Sequence, residues 1–416
     1  MSELRELFEC RLCFGNFFDN QLALTPTPPA NELYLSRDDA LKCEVFPLTL
    51  VMCSDCRHLQ LKYVVEPKRL FSNYVYKSGT SRIFREHFAA LAFSMKELIS
   101  PSSLIVEIGS NDGTLLSELS QNGFISVGLE PSHVLVKSAE ALGQVSIEAY
   151  LNNESVREIK EKYGSASAVI ANNVFAHIED MNSAIDCISE LLSEAGIFVF
   201  EVAHLLQMVE KGLFDTIYHE HMSYHSVAAL IPFLSNHNFE IFKIEEIPMH
   251  GGSIRVFAKK ATKDSSMSST SDYLKRELAS GINSVGVIEK ISNQIKVLRF
   301  EIMKELQSID DRYFVFGYGA PAKVVTFLSE MGLKNLGIQA VVDDNLDKQG
   351  KFLPGTGIPI ISSSEIQLMI AGSGKSAVCL VFPWNLGDEI LAKLRDFMPS
   401  NSCAYSFFPT IKKVEF

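Results

Sequence analysis

Val106-Glu107-Ile108-Gly109-Ser110-Asn111-Asp112-Gly113 passes from an apolar run into a glycine turn within a few residues. With Ser103-Leu-Ile ahead of it, the stretch reads as a buried strand that ends in a tight loop and opens a helix. The same rhythm continues on its C-terminal side. FISVGLE (124–130), SAVIANN (167–173) and GIFVFEV (196–202) are apolar strands, each followed by turn and helix material. Near-continuous apolar strands alternating with helices predict a parallel sheet covered on both faces. NFEIFKIEEI (238–247) and SIRVFAKK (253–260) are expected to close it as a pair of antiparallel edge strands.

A second strand-and-helix series begins at YFVFGYGAPA (313–322) and continues through LGIQAVVDDN (336–345), GIPIIS (357–362) and SAVCLVFPWN (376–385). It predicts a second doubly wound sheet. Serine-rich residues 262–272 mark the boundary between the two series. Two helices complete the plan. One lies within 66–100, with Phe84, Phe88, Leu91 and Phe93–Met95 as its apolar face. The other spans roughly 283–309, with Val285, Ile288, Ile291, Ile295 and Leu298 inward.

At 416 residues the chain exceeds one ordinary core. Its 38 basic against 50 acidic residues, net charge -12, and the lack of a basic run argue against a nucleic-acid or anionic-membrane surface. MSELRELFECRLC carries charges where a signal peptide needs apolar residues, and no 18-residue apolar run follows. A cytoplasmic location is therefore expected. Eight cysteines in such a setting do not suggest a disulfide framework.

Four of them form Cys10-x-x-Cys13 and Cys53-x-x-Cys56 within residues 1–65, a loop-rich segment short of core-forming residues. Two thiolate knuckles can close a tetrahedral zinc site, and four cysteines leave no position for a water, so the metal is structural and remote from the chemistry. A redox pair is the alternative, but neither knuckle heads a helix in a strand–helix–strand unit.

The loop after the first strand carries Glu107, Gly109, Asn111, Asp112 and Gly113. Its glycines admit close backbone approach, while Asp112 would repel a pyrophosphate. That favours S-adenosylmethionine over NAD. Glu130, followed by Pro131, ends the next strand and is placed to take both ribose hydroxyls; Asn172 and Asn173 would complete the rim. Thr216-Ile217-Tyr218-His219-Glu220-His221 concentrates a phenol, two imidazoles and a carboxylate, the groups that move protons near neutral pH. The histidines are two apart, so the i, i+4 ligand pair of a metalloprotease is absent. His250-Gly251-Gly252-Ser253 offers backbone amides ahead of a strand. Gly317-Tyr318-Gly319-Ala320-Pro321-Ala322-Lys323 offers amides and a lysine to an anion, with Asp343 near its sugar or base.

Read together, these segments resemble the S-adenosylmethionine-dependent C-methyltransferases of nucleotide-linked keto-deoxysugars. CxxC…CxxC, Tyr74-x-Tyr76 with Ser78-Gly79-Thr80-Ser81, EIGSNDG, LEPS, ANNVFAH, YHEH, HGGS and GYGAPAK stand in that family's order over nearly the whole chain. The run after YHEH places His225 where an aromatic is usual, and the residue after Lys323 is not the customary glycine.

The resemblance implies an α/β protein of three parts: a small N-terminal zinc-binding module (1–65), a central Rossmann-like class I methyltransferase domain (66–262) and a C-terminal doubly wound Rossmann-like domain (263–416). It implies S-adenosylmethionine and structural zinc as cofactors, and a nucleotide-linked 4-keto-deoxysugar as substrate. His221 would be the general base, with Tyr218, Glu220 and Tyr76 around the reacting carbon. His250, Gly251, Ser253, Gly319, Lys323 and Asp343 would line the substrate. A monomer, or at most a weak dimer, without nucleic acid or membrane partners is expected. O- or N-methylation of a nucleotide sugar, an NAD-dependent sugar-nucleotide oxidoreductase using GYGAPA, and a non-catalytic zinc-bearing binding protein are the rival readings.

Overall fold

The computed structural model describes residues 3–71, 77–262 and 270–416. Tyr74, Tyr76 and most of the serine-rich boundary segment lie outside the described residues. Three sheets of four or more strands organise the rest.

The largest has seven strands in the order Phe239–Ile247, Ser253–Lys260, Leu192–Ala203, Ala166–Asn172, Leu104–Ile108, Ile125–Leu129 and Val145–Ile147. The last five pair in parallel; Ser253–Lys260 is antiparallel to both of its neighbours. Period-2 alternation divides each strand between two cores. Ile105, Ile170, Ile197 and Val199 meet Phe84, Phe88 and Leu91 of the helix Arg82–Ser94. Val106, Val169, Phe198 and Phe200 meet Ile185, Ile188 and Phe233 on the other face. Two expectations need correction here. Ser253–Lys260 is an internal strand, because it is hydrogen-bonded on both sides; of this pair only Phe239–Ile247 lies at an edge. Phe93 is 64% exposed, being on the helix face away from Phe88 and Leu91.

The second doubly wound sheet orders Ile360–Ile361, Val341–Val342, Tyr313–Tyr318, Ser376–Val381 and Cys403–Ser406 in parallel, with Lys412–Glu415 antiparallel at the edge. The long helix begins later than the periodicity suggests, at Val287–Leu306. Val285 precedes it and is exposed, while Ile288, Ile291 and Ile295 are buried as expected.

The N-terminal sheet is antiparallel: Phe18–Thr27, Phe46–Cys53, Leu59–Leu61 and, from far along the chain, Ser223–Tyr224. Its Leu48, Leu50, Met52, Leu59 and Leu61 share one core with Ile217, Ile291, Ile295 and Phe327. Each such buried side chain contributes roughly 1.5–3 kcal/mol. The module short of its own core therefore has a second support besides a metal: the apolar face of the C-terminal half. No helix among the described residues is long and apolar enough to cross a membrane.

Candidate active site

The strand Leu104–Ile108 ends where Gly109 turns with φ +67°; a Cβ there would sit 2.4 Å from a Val174 methyl. Gly113, φ +80°, begins the helix Thr114–Gln121 against Ala139, whose Cβ would lie 2.6 Å from an added one. Only glycine fits such contacts at positive φ. Asn111 is also left-handed, and its backbone N–H donates to Glu130 Oε2 at 3.0 Å. Glu130 Oε1 accepts from Ser132 N at 2.9 Å. Each carboxylate oxygen thus holds the loop and keeps a further lone pair for a hydroxyl. Pro131 follows directly, partly exposed. Asp112 accepts from Gly79 N at 2.8 Å, and Asn111 Oδ1 from Ser78 N at 2.9 Å, so the Ser78–Thr80 turn is laced to the loop.

Buried polar atoms without hydrogen-bond partners among the described residues gather around this loop: Glu107 Oε2, both amide atoms of Asn172, and Ser132 Oγ. Leaving such atoms unpaired costs about 1–3 kcal/mol each, which a polar ligand relieves. Burial, with Asp112 and Glu130 close by, pushes the Glu107 carboxyl well above its ordinary range. Asn173, φ +55°, donates its N–H to Glu201 O at 2.9 Å and ends the adjoining strand. Three carboxyl groups beside one glycine turn suit a cofactor bearing a sulfonium, an ammonium and ribose hydroxyls. They oppose a pyrophosphate. The residues fit S-adenosylmethionine.

The four cysteine sulfurs lie within 4.8 Å of one another, with Cys10–Cys56 and Cys13–Cys53 at 3.5 Å. A tetrahedron of thiolates about 2.3 Å from zinc has edges of about 3.8 Å. The cluster fits the ion. Four thiolates this close repel one another, and a bound cation offsets that charge.

Of the predicted proton-moving groups, His219 and Glu220 are buried and Tyr218 and His221 half-buried, and they point different ways. His221 Nδ1 is 2.8 Å from the carbonyl of Thr216, and its Nε2 is 2.6 Å from the Tyr218 hydroxyl. A carbonyl can only accept, so Nδ1 carries the proton and Nε2 the lone pair. Burial, with His177 nearby, holds the imidazole well below its usual pKa, in the neutral form. Glu220 is fully buried, accepts from Asn31 Nδ2 at 3.2 Å, and is pushed up to about 7 by burial. His219 instead packs edge-on to Phe46 at 6.1 Å. His225 is a core residue between His58 and Phe175, at 5.3 and 6.1 Å.

His250, φ +52°, stands 5.2 Å from Phe84 and is pushed down to about 4 by burial, with Lys323 nearby. Gly251 lies against Trp384, where a Cβ would come within 2.3 Å. Ser253 Oγ donates to Met249 O. Lys323 Nζ sits 3.8 Å over the Trp384 ring and 3.3 Å from Asn385 Oδ1; burial lowers it to about 8 against the pull of Asp215. Gly319, φ +82°, abuts Pro383. Asp343, expected near the sugar or base of the anion, accepts from Ala320 N at 2.7 Å, so its carboxylate braces the glycine loop. HGGS and GYGAPAK therefore meet across Trp384.

Three groups escaped the sequence reading. The His177 ring is 5.1 Å from that of His221; the ANNVFAH motif contains it, but nothing local gives it a role. Buried Asp215 accepts from Trp384 Nε1 at 2.8 Å. Asn31 sits in a stretch that reads as a plain loop.

A zinc binding domain family matches residues 10–71, a methyltransferase domain family residues 80–244, and the C-methyltransferase C-terminal domain residues 248–408. C-methyltransferase NovU of Streptomyces niveus is 32% identical over 399 residues, covering 95% of this chain and 94% of its own. Among solved structures, an Anabaena variabilis S-adenosylmethionine-dependent methyltransferase covers 44% of this chain and 86% of its own at 16% identity, TM-score 0.37. Magnesium protoporphyrin IX methyltransferase from Synechocystis covers 42% and 83% at 17% identity, TM-score 0.35. The chain belongs to the C-methyltransferases, and it is an enzyme that transfers a methyl group.

Proposed function

We propose that the chain methylates a carbon next to the ketone of a nucleotide-linked 4-keto-deoxysugar, with S-adenosylmethionine as donor. The observation that carries this reading is the half-buried, neutral His221 with its lone pair on Nε2. Methylation of oxygen or nitrogen can proceed without a base, because the nucleophile already has a lone pair. Methylation of carbon needs a proton removed first.

Bound at the Gly109–Gly113 loop, S-adenosylmethionine supplies an electrophilic methyl group. Glu107, Asn172 and Ser132 have unmet polar atoms to hold it, and Glu130 has spare lone pairs for its ribose. His221 Nε2 takes the proton from the sugar carbon, and the Thr216 carbonyl stabilises the imidazolium through Nδ1. The Tyr218 hydroxyl, already donating to Nε2, turns to the developing enolate oxygen. His250 and Lys323, facing the same region from the HGGS and GYGAPAK segments, would hold the sugar and its diphosphate.

In heavy water with S-adenosylhomocysteine and a dTDP-linked 4-keto-6-deoxyhexose, the wild type should exchange the proton next to the ketone for deuterium. His221→Ala should not, and its turnover should fall on the order of 10²–10⁴-fold, typical of losing a general base. Its S-adenosylhomocysteine affinity should stay intact. Wild-type exchange in the variant would pass the role to Tyr218 or His219. Methylation on oxygen of a sugar lacking a ketone would refute the mechanism.

A further inference from the structure

The proposed reaction does not account for the packing of the zinc module against the catalytic segment. Ser223–Tyr224, two positions beyond His221, is an edge strand of the module's own sheet and pairs with Leu59–Leu61. Leu61 N donates to Met222 O at 2.9 Å. On the other side of the catalytic histidine, His219 lies against Phe46 of the same sheet. Between these anchors sits Glu220, fully buried. The side-chain amide of Asn31, 189 positions away, donates to Glu220 Oε1 at 3.2 Å, while Oε2 has no hydrogen-bond partner among the described residues.

We propose that Asn31 is a positioning residue: it holds the Glu220 carboxyl by one oxygen and leaves the other to a hydroxyl or carbonyl of the sugar. The zinc module is then part of the active site rather than a support remote from it. The proposal rests on the reading that Glu220 belongs to the reacting pocket.

The surroundings give Asn31 a distinct electrostatic effect. Burial drives the carboxyl towards its neutral form; the backbone N–H groups of Glu220 and Asn31 oppose this, and the Asn31 side-chain amide adds to their effect by donating to the carboxylate. Glu32 and the Tyr224 phenol also face Glu220. Glu32 is itself paired with Arg69, Nε to Oε2 at 3.0 Å, and accepts from the Tyr34 hydroxyl at 2.8 Å. Asn31 is thus the neutral donor among acidic neighbours, and exchanging it for a like-sized acid reverses its influence.

The test uses the zinc-loaded full chain labelled with ¹³C at glutamate carboxyls. The resonance that Glu220→Gln removes identifies the group. It should titrate at about 7 in the wild type. Asn31→Ala should move that midpoint up by about one unit, and Asn31→Asp further, because a like charge replaces a donor. An unchanged midpoint in both variants overturns the proposal.

Methyl transfer from labelled S-adenosylmethionine to a dTDP-linked 4-keto-6-deoxyhexose gives the second readout. Asn31→Ala should lose about ten-fold in kcat, the scale of a hydrogen bond to a charged group. It should lose nothing further in a Glu220→Gln background. Full additivity overturns the proposal. If Glu220→Gln turns over like the wild type, the placement of Glu220 in the pocket is at fault instead. Unaltered zinc content and S-adenosylhomocysteine affinity separate positioning from collapse of the module. Asn31→Asp, equal in size, replaces Asn31→Ala should the latter lose zinc.

Discussion

The two glycine turns of this protein begin alike and finish differently. At Gly109–Gly113, carboxyl and amide groups converge with Glu107 Oε2, both Asn172 amide atoms and Ser132 Oγ lacking partners among the described residues. At Gly317–Lys323, the chain supplies its own partners. Asp343 accepts the Ala320 amide, Lys348 Nζ donates to the Ala320 carbonyl at 2.8 Å, and Lys323 is turned onto Trp384. Both loops end a parallel strand and open a helix, so topology alone would give them equal claim to a ligand. Their hydrogen-bond balance does not. The first loop has unmet demand at its base; the second offers chiefly one lysine, turned onto Trp384 and near enough to the His221 and His250 imidazoles to lower both.

The contrast can be broken most sharply at the carboxylates. Glu130→Ala should weaken S-adenosylhomocysteine binding by about ten- to a hundred-fold, the range for losing hydrogen bonds to a charged group. Asp343→Ala should leave it untouched. Calorimetric titration of both variants decides the matter, and equal losses would erase the distinction between the loops.

A smaller effect is expected at Lys323. Lys323→Ala should raise the Michaelis constant for the nucleotide sugar by about ten-fold, with turnover nearly preserved, as when binding shared by ground and transition states is lost. Steady-state kinetics with varied sugar nucleotide tests this. An unchanged Michaelis constant would move the nucleotide elsewhere.

The smallest effect is one of pH. Burial lowers Lys323 to about 8, so it loses its charge as pH rises through that value. The Michaelis constant should therefore climb a few-fold between about pH 7 and 9, Lys323→Arg should remove the rise, and donor affinity should show no such limb. The sign for folding is the reverse. With its folded pKa depressed below the unfolded 10.5, Lys323 destabilises the native state when protonated, and this penalty fades as pH rises from about 8 towards 10.5. A rising Michaelis constant alongside rising stability would be hard to attribute to general unfolding.

Much of this architecture was legible because it is written locally. The strands at 104–108, 125–129, 166–172 and 192–203 announce themselves by apolar runs broken at glycine or asparagine, and the knuckles at Cys10 and Cys53 by ligand type and spacing. Errors came where a local signal cannot count partners. The segment Ser253–Lys260 has the same sequence pattern whether it has one neighbouring strand or two, and Phe93 is apolar whether or not a core reaches it. His177 was visible as a residue and unreadable as a neighbour of His221.

What the sequence determined by itself is therefore the set of strands, turns and ligand types: backbone conformation and side-chain period depend on residues a few positions apart. What only the tertiary structure decided is which of those groups share a site. Ser223–Tyr224 joins the sheet of the zinc module, Asn31 reaches Glu220, and Lys323 leaves its own loop for Trp384 and the imidazoles. Each of these depends on burying a surface against residues tens to hundreds of positions away. That choice is made by the packing of whole faces, and no short window of sequence contains it.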